Sequence, residues 1–122
     1  KKPVPVRQAQ VLILKHQQQY LWLQRPNSGL WGGLWSMPII DDPTEFTATY
    51  QRLGLKTIVQ RGQISHSFTH FTWELAASVF EVEADLTEHL AIELDGIWLT
   101  AQAAIDAGIP TAMKKLISSL DL

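Results

Sequence analysis

The 122 residues contain no cysteine. That removes a disulfide framework, a thiolate metal site, an iron–sulfur cluster and a cysteine nucleophile from what they can build, and it is compatible with the cytosol. Long apolar runs are missing too. Stretches such as Val11-Leu12-Ile13-Leu14 fall far short of the ~20 residues of a membrane-spanning helix. Lys1-Lys2-Pro3 leads into mixed polar and apolar residues without the apolar segment of a secretory signal, so no membrane partner is expected. Nor is there an excess of positive charge. Lys and Arg number 10 against 12 Asp and Glu, for a formal net charge of −2. The chain as a whole does not draw DNA, and any nucleic-acid contact must use a local patch or help from elsewhere. Residue 1 is Lys rather than Met, from which a fragment of a longer chain, or a processed one, is expected.

What is present reads as one folded domain over residues 1–122. A hydrophobic content of 46% with 18% charged residues supports a packed core and argues against disorder. The aliphatic segment Val4 to Leu14, the polar run His16 to Gln19, and Tyr20-Leu21-Trp22-Leu23-Gln24 predict two strands joined as a hairpin. Pro26-Asn27-Ser28-Gly29 and Gly32-Gly33 are breakers, and between them Leu30, Trp31, Leu34 and Trp35 load a loop with large apolar side chains. Asp42-Pro43-Thr44-Glu45 predicts a helix start, with Asp42 as cap and Glu45 placed as in a capping box. This helix should run to about Leu53 and stop at Gly54.

Thr57 to Ile64 and Phe71 to Glu83 predict a second antiparallel pair. In the latter, Phe71, Trp73, Leu75, Ala77 and Val79 alternate onto one face. Ile97-Trp98-Leu99 is a short strand, Thr100 caps a helix ending at Gly108, and a last helix opens at Pro110 or Thr111. Met113, Leu116, Ile117 and Leu120 share a stripe on that last helix. Strands interrupted by one helix and closed by helices indicate an α+β fold with a mixed sheet.

Several residues admit two readings. His66 and His70 stand four apart, a zinc spacing on a helix, but they lie in a loop-and-strand context without an evident third ligand. Trp31 and Trp35 either stack on bases or fill the core, whereas Trp73 and Trp98 read as core. Gly29, Gly32 and Gly33 read as turn residues. They lack the Lys-Ser/Thr that would complete a phosphate-binding loop.

Three collinear stretches carry a resemblance. Leu23-Gln24-Arg25-Pro26-Asn27-Ser28-Gly29-Leu30-Trp31-Gly32-Gly33-Leu34-Trp35-Ser36-Met37-Pro38 resembles the opening of the C-terminal domain of MutY-type adenine DNA glycosylases. His66-Ser67-Phe68-Thr69-His70-Phe71 is similar to that family's Phe-Ser-His loop, and Gly108 to Leu116 to its closing segment. The resemblance implies a Nudix-like fold, a mixed β-sheet packed between helices. It implies recognition of 8-oxoguanine opposite adenine in duplex DNA, with adenine excised by an N-terminal catalytic domain acting in cis. The acid and the 4Fe–4S cluster would belong to that other domain, leaving this one without a cofactor. The implied location is the cytoplasm, on the nucleoid.

The rival expectation is an active Nudix hydrolase of oxidised nucleotides, whose helix needs clustered carboxylates to hold magnesium. The signature's Arg-Glu and Glu-Glu pairs precede a Gly and an aliphatic residue. Counting back from Gly54-Leu55 places those pairs on Thr47-Ala48 and Gln51-Arg52, where every carboxylate is replaced. Glu45 alone cannot build the site, so neither a metal nor catalysis is expected here. A third expectation is a protein-interaction module using the Trp31 loop.

If the resemblance holds, Thr69 stands where the family has serine and keeps the hydroxyl. 8-Oxoguanine carries N7–H and a C8 carbonyl where guanine has an acceptor at N7, so a hydroxyl held as acceptor tells the two apart. Phe68 would pack beside the base, His70 would orient the loop or meet phosphate, and His66 would lie at the same contact. Arg7, Arg25 and Lys15 are candidate phosphate contacts and Trp31 a candidate loop contact; each equally fits a solvated surface or core role.

Overall fold

The computed structural model describes residues 4–122. The elements follow the chain as β1 (Val6–His16), β2 (Gln19–Gln24), β3 (Trp35–Ser36), β4 (Ile39–Ile40), a 3-10 turn at Pro43–Glu45, α1 (Phe46–Arg52), β5 (Thr57–Ser67), β6 (Thr72–Glu81), α2 (Ala84–Glu93), β7 (Ile97–Thr100), α3 (Ala101–Ala107) and α4 (Thr111–Ser119).

β1 runs through the centre of a mixed sheet. It pairs in parallel with β6 from Val6 opposite Thr72 to Lys15 opposite Glu81, and β5 lies antiparallel on the outer side of β6. The other edge of β1 is shared: β4 pairs with Gln10 and Val11, and β2 with Lys15 and His16. β2 then diverges to pair with β7 and β3.

The continuous apolar run in β1 exists because both faces of the strand are covered. Ala9, Val11 and Ile13 point into one core with Trp22, Trp73 and Leu75, closed by Ala104 of α3 and by Met113 and Leu116 of α4. Leu12 and Leu14 point the other way, with Leu21 and Phe80, under Leu53 beyond α1 and Leu90 of α2. The sheet therefore lies between two helix pairs, the α+β arrangement expected from the order of elements.

Local signals explain the helix ends. The Asp42 carboxylate accepts from the Thr44 N–H at 2.9 Å and from its hydroxyl at 2.7 Å. The chain first turns as 3-10 and becomes α-helical at Phe46, with Glu45 making no capping bond through its side chain. The capping-box expectation is thus corrected: Pro43 tightens the first turn and leaves Glu45 at the helix start. Thr100 accepts from the Ala103 N–H at 3.1 Å, and α3 ends at Gly108, whose φ is +108°. Of the predicted stripe, α4 buries Met113 and Leu116, Leu120 is buried at its C-terminal cap, and Ile117 is half-buried.

Several features depart from the sequence reading: Trp35–Ser36 and Ile39–Ile40 form two-residue strands that were not anticipated. β5 continues to Ser67 rather than ending near Ile64, which shortens the loop before β6. A helix not anticipated, α2, fills Ala84–Glu93 and buries only Leu90 fully. Finally, α4 lies directly on the edge strand β5. A Cβ at Gly62 would collide with the Leu120 side chain, and the Gln60 amide donates to the Leu120 carbonyl at 2.9 Å.

Candidate nucleic-acid interface

The β5–β6 hairpin ends in the four-residue loop Phe68-Thr69-His70-Phe71, above the last pair, Ser67 opposite Thr72. The Phe68 N–H donates to the Phe71 carbonyl at 2.7 Å and closes the loop. The two phenyl rings stack with centroids 4.6 Å apart at 26°, and each lies 6.3 Å from the ring of buried Trp73. Half-buried rings therefore anchor the loop in the α4-side core while Thr69 and His70 stand exposed at its tip.

Around this anchor the structure gathers residues from distant segments. The Arg7 guanidinium at the start of β1 lies 4.4 Å from the Phe71 ring centroid, a cation–π contact. Arg7, Arg25, Leu30, Asp41, Phe71 and Trp73 line a cavity of about 450 Å³. The Nε of Arg25 is buried with no hydrogen-bond partner among the described residues. Trp31 is half-buried and packs on Trp73 at 5.2 Å and 44°. Its φ of +57° is uncommon for a bulky residue. That conformation is stabilised by the Trp31 carbonyl, which accepts from Leu34 N–H at 3.0 Å. Gly29 and Gly33 flank it at φ +88° and +76°, the turn role their positions suggest. Trp35 is likewise half-buried against this core, while Trp98 donates to the Thr87 carbonyl at 2.8 Å on the opposite side.

His66 is half-buried beneath the loop. Its ring meets Phe68 edge-on, with centroids 4.7 Å apart at 75°, and its Nδ1 lies 3.2 Å from the Lys115 Nζ on α4. Burial, and next the Lys115 charge, holds its pKa below the ordinary imidazole value. His66 and His70 are not joined by an ion site: among the described residues no three His, Cys, Asp or Glu side chains converge as ligands. Lys15 is not brought to the cluster. It sits at the other end of β1, opposite Glu81 and Tyr20.

Sequence reasoning placed Phe68, Thr69 and His70 in one loop, but it did not single out Phe71, Asp41 or Lys115. The Phe71 signal was available in the alternation that continues into Trp73. Lys115 had none, since it meets His66 across 49 positions.

The degenerate signature lies on the far side of the sheet. Phe46 and Tyr50 turn inward, with ring centroids 6.4 and 5.2 Å from that of Phe80, while Thr47, Ala48, Gln51 and Arg52 are exposed. Arg52 donates to Glu93 of α2 at 2.9 Å. A guanidinium engaged with that carboxylate, beside hydroxyl, methyl and amide groups, does not fit a magnesium ion.

Adenine DNA glycosylase of Homo sapiens is 32% identical over 114 residues, covering 80% of this chain and 20% of that protein. The chain thus spans about a fifth of the length of that curated relative. The C-terminal domain of mouse MUTYH, solved in complex with human PCNA, superposes with a TM-score of 0.59 at 22% identity, over 92% of this chain and 85% of that one. The E. coli ORF135 protein superposes with a TM-score of 0.64 at 16% identity, over 95% and 89%. Both structural likenesses show the same fold. A family model described as NUDIX domain matches residues 9–119, and with the match extending over nearly the whole of the sheet and its helices, the chain belongs to the NUDIX domain family.

Proposed function

We propose that this domain serves DNA repair by reading 8-oxoguanine opposite adenine in duplex DNA, in support of adenine excision by a glycosylase of which it is a part. One observation carries the reading: the exposed Thr69 hydroxyl tops a loop whose flanking phenylalanines are anchored in the core. Such a tip approaches a base edge without reorganising. The hydroxyl accepts from N7–H of the oxidised purine, which an unmodified guanine does not offer. Its β-branched side chain restricts the rotamers. Arg7 and Arg25, on the same side of the molecule, supply cationic groups for phosphates of the lesion strand. Similarity to adenine DNA glycosylases supports the assignment of adenine excision to a catalytic domain in cis; the lesion, and an iron–sulfur cluster in that other domain, are what the family resemblance of the loop and its flanking segments implies. The proposed setting is the cytoplasm, at the nucleoid.

The hydrolase reading loses its basis at Thr47, Ala48, Gln51 and Arg52, so the domain itself is proposed to be non-catalytic. The interaction-module reading is weakened by Trp31, whose ring packs against Trp73. The test is Thr69→Ala and Thr69→Ser in the intact protein that carries this domain. Preference for adenine opposite 8-oxoguanine over adenine opposite guanine should fall by about 5- to 150-fold with alanine, the range given by ~1–3 kcal/mol per base contact, and persist with serine. An unchanged preference in Thr69→Ala removes the hydroxyl from the role.

A further inference from the structure

The loop tip is short, and its shape depends on where the Phe68 and Phe71 rings are held. Phe71 is held from β1 by Arg7. Phe68 makes a T-shaped contact with the His66 ring, and His66 in turn meets Lys115, 3.2 Å from its Nδ1. An ammonium has only protons to offer, so it donates and Nδ1 accepts, which leaves the imidazole proton on Nε2 and the ring neutral. The seating of Leu120 over Gly62 and the Gln60 bond to the Leu120 carbonyl fix α4 along β5 and bring Lys115 within reach.

We propose that Lys115 is a positioning residue for lesion reading: by donating to Nδ1 of His66 it locks the imidazole edge-on against Phe68 and so holds the Phe68–Phe71 loop in shape. This rests on the loop being the lesion contact. Sequence similarity had grouped His66 with the base-contacting residues; the geometry makes it the link between α4 and the loop.

Around His66 stand Lys115 from α4, Trp73 opposite it on β6 and Phe68 from the loop, and the charge that acts on it is that of Lys115. As pH falls through the lowered pKa of His66, Nδ1 gains a proton, the acceptor disappears and two cations face one another. The hold on the loop is therefore present above that pKa and lost below it.

The experiment compares Lys115→Met, Lys115→Arg and, as a control on the same exposed helix surface, Lys114→Met in the full chain. Exchange of the Phe68 amide and the NMR titration of His66 are read first. Preference for duplex containing 8-oxoguanine over undamaged duplex is then measured in the intact protein. Lys115→Met should speed Phe68 exchange about threefold to tenfold, raise the His66 pKa toward the ordinary value and reduce the lesion preference. Lys115→Arg should restore all three, and Lys114→Met should change none. Unchanged Phe68 exchange and His66 titration in Lys115→Met overturn the proposal, even if lesion preference falls. If both respond while lesion preference stays, Lys115 holds the loop but the loop is not the lesion reader; the reading of the loop is then refuted, and the positioning role in recognition with it.

Discussion

Replacing Arg7 with alanine separates its contact with the Phe71 ring from the phosphate contact proposed for it. Each phosphate neutralised on B-DNA contributes about −0.9 to the slope of log K against log salt. With Arg7 and Arg25 each on one phosphate, their joint share is about −1.8, or roughly a twelvefold loss of affinity between about 50 and 200 mM salt. Arg7→Ala should shrink the slope of the intact protein by about 0.9, so that this share becomes about three- to fourfold over the same range. The loss should be nearly uniform between damaged and undamaged duplexes, since phosphate contacts carry no base information. Removing the guanidinium from the face of Phe71, 4.4 Å away, should also cost about 0.5–1 kcal/mol of folding stability. Arg7→Lys keeps the slope, because the charge remains, while losing part of the stacking. Lys15→Ala provides the internal control, since Lys15 sits about 26 Å away along β1 at ~3.3 Å per residue. Fluorescence anisotropy across a salt series reads the slopes, and urea denaturation reads the stability. A slope in Arg7→Ala equal to that of the parent refutes the phosphate assignment; a reduced slope in Lys15→Ala places the DNA at the other end of β1, away from the loop.

Phe80→Ala should destabilise the fold by about 3–5 kcal/mol, seen as a lower urea midpoint at unchanged m, because a fully buried ring packed against Phe46 and Tyr50 is removed. Its lesion preference should survive in the folded fraction, as Phe80 lies in the core on the opposite side of the sheet. The Asp42 pKa is lowered, first by the Thr44 hydroxyl and then by the Thr44 N–H. The cap is therefore in place above the ordinary carboxylate range and is lost as pH falls through the lowered value. The Thr44 amide shift should titrate below that range and become insensitive to it in Asp42→Ala.

What the chain revealed in advance follows the range of the interactions involved. Asp42, Thr100 and Gly108 act within a turn of their own position, so the helix ends they set were readable. The alternation in β6 was equally visible, since Trp73, Leu75, Ala77 and Val79 all enter one core. The parallel pairing of β1 with β6 was not, because nothing local distinguishes the partner of a strand buried on both faces. α2 escaped notice because one residue of it is fully buried; the signal was Leu86, Leu90 and Leu94 at four-residue spacing. At the candidate interface, the loop could be read from contiguous residues. Its supports could not: Arg7 meets Phe71 from β1 and Lys115 meets His66 from α4, and only the folded sheet brings these distant positions together.

The pairing of Arg52 with Glu93 bears on any attempt to build the signature's metal site into this helix. A carboxylate placed at position 52 would lose the ion pair and stand near a like charge in the absence of an ion. Changing position 52 alone would therefore cost the tie between α1 and α2 without completing a ligand set, since Thr47, Ala48 and Gln51 would still supply no carboxylate.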